Sequence, residues 1–141
     1  MLYDLERKPR KLKIKLLDEV LCFAQEYLKL PEETHILLEF SNMKKDGANG
    51  YCVDCDDDED YDCEIEINNK LDIDEMITTI FHELVHVKQY VTGRLISGVG
   101  KKHSRWDGIP YSGTYLGSPW EKQAYATEKR MFNKWCNQHN G

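Results

Sequence analysis

Apolar residues recur with a helical period through Leu12, Leu16, Leu17, Val20, Leu21, Phe23, Ala24, Tyr27 and Leu28. This predicts a packing helix over about 11–30, closed near Pro31. The pattern then shortens. His35–Phe40 is a run of branched and aromatic residues that reads as a strand; Tyr51–Cys55 is a second and Asp62–Asn68 a third, where Cys63, Ile65 and Ile67 alternate with Glu64 and Glu66. Asp46–Gly50 has the composition of a turn, and Asp56–Asp60 that of a solvated hairpin tip.

From Asp72 the helical period returns. Asp72 with Glu75 three residues on is a capping box, and Ile73, Met76, Ile77, Ile80, Phe81, Leu84, Val85 and Val87 cover most of the circumference. Such a helix is buried, and it stops near Thr92-Gly93. Between Arg94 and Gly117 glycines punctuate the chain and periodicity fades, which predicts a long functional loop with a short strand near Trp106. Ser118 as N-cap and Pro119 at the first position open a last helix. The elements add up to an α+β fold in one domain spanning residues 1–141: an N-terminal helix, a small, mostly antiparallel sheet, a buried central helix and a C-terminal helix.

Composition narrows the class. A chain of 141 residues with 40% hydrophobic and 31% charged residues suits one soluble globular domain, and no run is apolar enough to span a membrane. The first residues, Met-Leu-Tyr-Asp-Leu-Glu-Arg-Lys, lack the apolar core of a signal peptide, so a cytoplasmic location is expected, without a membrane partner. Cys22, Cys52, Cys55, Cys63 and Cys136 form an odd set, read as reduced thiols. Cys52, Cys55 and Cys63 lack a fourth partner for a zinc site, and the acidic tip lacks the glycine and glutamate of a calcium loop. A net charge of −6 argues against a surface built wholly for nucleic acid, although Arg7–Lys15 and Lys101–Arg105 are locally basic.

The chemistry concentrates in His82-Glu83-Leu84-Val85-His86. At ~100° per residue, two histidines four apart project from nearly one helix face and are able to share a metal ion. Glu83, one position round, reaches a metal-activated water rather than the metal. Buried without a metal, this polar trio would be costly. The segment resembles the active-site helix of the zincin metallopeptidases. That resemblance implies a Zn2+ cofactor, a peptide or protein substrate lying extended along an edge strand of the Tyr51–Asn68 hairpin, and peptide-bond hydrolysis with Glu83 as general base.

Three residues compete as third ligand. On the last helix Trp120, Ala124, Tyr125, Met131, Phe132, Trp135 and Cys136 share one arc, and Glu121 and Glu128 point into it. A buried carboxylate needs a partner, and a metal ion is a good one. Glu121 also falls at the capping-box position after Ser118. Pro119-Trp120-Glu121-x-x-Ala124 resembles the gluzincin branch, which favours Glu121, with Glu128 as an outer partner of His82 or His86. His103, followed by an aromatic residue in a basic loop, resembles instead the third histidine of the SprT-like DNA-associated proteases. A donor to the oxyanion is expected from Tyr111, Tyr115, His103 or Arg105. The remaining alternative is a zincin-like protein that keeps zinc for structure; an intact Glu83 speaks against it.

Overall fold

Leu2–Glu6 forms strand β1, and the 15-residue helix α1 (Ile14–Leu28) carries the chain back so that β2 (His35–Ser41) lies parallel to it, Leu2 opposite His35. The computed structural model describes residues 1–44, 47–55, 60–98 and 103–139. After β2 come β3 (Gly50–Asp54), β4 (Cys63–Asn68), α2 (Ile73–Val91), the short strands β5 (Leu95–Ile96), β6 (Arg105–Trp106) and β7 (Ile109–Pro110), and α3 (Pro119–His139). The α+β class holds. No described helix is long and apolar enough to cross a membrane.

The main sheet has the order β1-β2-β4-β3. Here the expected antiparallel character needs correcting: β1–β2 and β2–β4 are parallel, and only β3–β4 is antiparallel. The reason is the crossover through α1, together with β3, which reverses the chain at the edge so that β4 returns in the direction of β2. Strand β1 had no counterpart in the sequence pattern. Its partly buried residues, Tyr3 and Leu5, are only two, too few for alternation to stand out. The antiparallel hairpin forms as expected, with Cys52 opposite Ile65, while its tip at 56–59 and Asp46 of the turn cluster lie outside the described residues.

Alternation decides which sheet face is covered. Ile36, Leu38 and Phe40 of β2 and Cys63, Ile65 and Ile67 of β4 are buried, whereas the residues between them stay in part exposed. The helices pack on that buried face. Leu17, Val20, Leu21 and Ala24 of α1, Met76, Ile80, Phe81 and Leu84 of α2, and Met131 and Trp135 of α3 complete one core. Phe81 lies between Phe23 and Trp135, with ring centroids 5.4 and 6.3 Å away.

The central helix starts and stops as its sequence predicts. The Glu75 backbone N–H donates to Asp72 Oδ1 at 2.8 Å and the Asp72 N–H to Glu75 Oε1 at 3.4 Å, completing the capping box. At the other end Gly93 takes the left-handed conformation, with φ 78°. In the long loop β5, β6 and β7 make a small antiparallel sheet, one strand of which includes Trp106. Arg94 sits over the Trp106 ring at 4.3 Å and grips Asp107 through two hydrogen bonds of 2.9 and 3.1 Å.

Candidate metal centre

α2 and α3 cross so that His82, His86 and Glu121 meet, all three buried, with one ligand atom from each lying within 4.8 Å of the others. The Nε2 atom of His86 is 2.6 Å from Glu121 Oε1, and that of His82 is 3.3 Å from Glu121 Oε2. Of the three candidates for third ligand, the structure brings Glu121 to the histidine pair.

Each imidazole is held from behind. Nδ1 of His82 lies 3.1 Å from Glu128 Oε1, and Nδ1 of His86 lies 2.7 Å from Gln89 Oε1. Gln89 is fixed in turn, its amide donating to the Trp120 carbonyl at 3.1 Å and to Gln123 Oε1 at 2.9 Å. With its Nδ1 donating to Gln89, His86 turns its Nε2 lone pair towards the Glu121 carboxylate. Lone pair against lone pair is repulsive without a cation between them. Consistent with this, His86 Nε2 is buried without a hydrogen bond of acceptable geometry among the described residues, despite its short distance to Glu121. Two imidazoles and a carboxylate, each oriented from outside, fit a metal ion.

At His82 a proton stands where the cation would. Burial disfavours a charged His82, but the hydrogen bonds it donates to Glu121 and Glu128 outweigh it and push its pKa up to about 10. Burial likewise opposes the ionised form of Glu121, yet the two histidines prevail and hold it at about 2. Glu83 behaves differently. Burial raises it to about 7, against the opposing pull of His82 and His86.

A cleft of about 580 Å³ opens over this cluster, lined by Gly47–Tyr51 at the start of β3, by Thr79, His82 and Glu83 of α2, by Tyr115, and by Glu121, Tyr125 and Glu128 of α3. Glu83 faces the cleft without being one of the three clustered ligands. Strand β3 is the outermost strand on this side of the sheet, which settles which hairpin strand is the edge.

The remaining candidates separate. Tyr115 reaches the site, its hydroxyl donating to Glu121 Oε1 at 3.1 Å. Tyr111 does not: its hydroxyl is taken by the Thr114 carbonyl at 2.7 Å and its ring packs edge-on against Trp120, so it braces the loop. His103 is exposed and Arg105 donates to the Gly108 carbonyl; neither lines the cleft. Ser118 Oγ accepts from the Glu121 N–H at 3.3 Å, so Ser118 caps α3 while the Glu121 carboxylate turns to the histidines, leaving the capping box half made.

Two residues of the site went unnoticed in the sequence. Tyr125 lies against the His82 ring, centroids 4.6 Å apart; its place on the same arc as Glu121 was visible, but not its neighbour. Gln89 is three residues past His86, a helical spacing that would have flagged it. In comparison with known proteins, no family model, no curated protein and no solved structure matches the chain.

Proposed function

We propose that the chain is a zinc-dependent peptidase of the zincin kind that hydrolyses peptide bonds. What supports the reading is one juxtaposition: a buried two-histidine, one-carboxylate cluster with an additional carboxylate, Glu83, beside it in a cleft bordered by the start of an edge strand. Three protein ligands of this type suit zinc and leave a fourth position open. Zinc bound there supplies a Lewis acid that acidifies water and polarises the scissile carbonyl.

The chain's own residues do the rest. His82, His86 and Glu121 would hold the ion, and Glu128 and Gln89 keep the two rings aimed. Glu83, a buried carboxylate beside the three ligands and open to the cleft, accepts the proton of the attacking water and delivers it to the leaving amine. Tyr115 turns its hydroxyl from Glu121 to donate to the developing oxyanion. The substrate adds as an extended strand to the outer edge of β3, through main-chain hydrogen bonds.

The test is hydrolysis of a mixed fluorogenic peptide pool by zinc-loaded protein and by Glu83→Gln. The variant is expected to keep its zinc and lose activity by at least about 100-fold. A Glu83→Gln protein as active as its parent would sink the mechanism.

A further inference from the structure

Gly50 opens the edge strand β3, opposite Ile67 of β4, and on the same side of the strand as Cys52, the side that faces α2. Glycine within a strand weakens it, so its presence asks for a reason. Backbone conformation does not supply one, because Gly50 is not among the glycines with positive φ, which among the described residues are Gly47, Gly93 and Gly108. Space does. A Cβ at Gly50 would lie 2.8 Å from Thr79 Cγ2, 3.0 Å from the Glu66 carbonyl oxygen and 3.2 Å from Glu83 Oε2. Strand and helix therefore touch main chain to side chain at the very turn of α2 that carries Glu83.

We propose that Gly50 is a positioning residue: lacking a side chain, it lets the edge strand seat directly against Glu83 and so fixes where that carboxylate stands relative to the strand and the metal ligands. This rests on the peptidase reading for its effect on turnover, although the contact itself exists without a metal. A side chain at position 50 meets Thr79, the Glu66 carbonyl and Glu83 together. It fits only by displacing the two α2 side chains and shifting β3 against β4, or by lifting β3 away from α2; both change the spacing between the base and a chain paired to the strand. Misplacement of a reacting group by about 1 Å costs up to about 100-fold in rate.

Thr79 makes the proposal separable from ordinary packing. Thr79→Ser removes the methyl group that a Cβ would strike first and retains a hydroxyl for the bond to the Glu75 carbonyl. In the Thr79→Ser background, Gly50→Ala then probes the Glu83 contact with the worst side-chain clash removed. The expected result is a kcat about 10-fold or more below that of Thr79→Ser, with KM changed less than about twofold and zinc content unchanged. In metal-free protein, the 13C carboxyl resonance of Glu83, identified by its loss in Glu83→Gln, should move in the double variant and not in Thr79→Ser.

An unmoved Glu83 resonance overturns the proposal, as does a loss confined to KM or to zinc content. If the zinc-loaded parent hydrolyses no peptide, the proposed function fails, while the resonance still decides whether Gly50 places Glu83.

Discussion

Glu128 Oε1 lies 3.1 Å from Nδ1 of His82, so a carboxylate on α3 backs a histidine of α2 whose other nitrogen faces Glu121. An acceptor in this position fixes the tautomer and makes the imidazole a stronger ligand. Replacing the charge by an amide, Glu128→Gln, should weaken zinc binding by about 10-fold, within the ~10–100-fold range typical of such partners. Competition with a chromogenic chelator measures it, and an affinity equal to the parent's would leave Glu128 with a packing role only.

Removing a ligand should cost more than removing its support. Glu121→Gln is expected to lose zinc on dialysis, with an affinity at least about 100-fold weaker, whereas His103→Ala, altered at an exposed loop residue, should retain it fully. Metal analysis after dialysis compares the two. Equal retention would exclude Glu121 as ligand.

Metal binding should be linked to pH in a definite direction. Zinc takes the neutral imidazole, but in metal-free protein burial, which favours that form, is outweighed by Glu121 and Glu128, and His82 keeps its proton up to about pH 10. Glu121, held at about 2, is already ionised and adds no slope at neutral pH. One proton must therefore leave, and apparent affinity should rise by about 10-fold per pH unit from neutrality towards pH 10, then level off. Affinities measured at pH 7, 8 and 9 that coincide would show that no such proton is released.

The scaffold under the centre makes its own demand. Phe81, fully buried between Phe23 and Trp135, precedes His82 directly. Phe81→Ala should cost about 3–5 kcal/mol in urea unfolding of the metal-free protein. A loss under about 1 kcal/mol would mean that the core closes over the cavity.

By itself the sequence determined whatever depends on neighbours along the chain. The helical period and the Asp72–Glu75 cap placed α2 with His82, Glu83 and His86 on it; the alternation at Cys63–Asn68 placed β4; and Ser118-Pro119 placed the start of α3. These follow from local geometry, in which spacing alone tells which side chains share a face. The tertiary structure decided everything that requires two elements to meet. The wheel of α3 left Glu121 and Glu128 on one arc with different claims, and only the crossing of α3 over α2 put Glu121 against both Nε2 atoms and Glu128 behind His82. Tyr115 and Tyr111 were equal candidates in a loop without periodicity until the Thr114 carbonyl and Trp120 claimed one of them. The parallel placing of β1 beside β2 and the close approach of Gly50 to Glu83 are likewise absent from any local pattern. They arise because packing fills space among distant segments, and what a glycine makes room for is known only when its neighbour arrives.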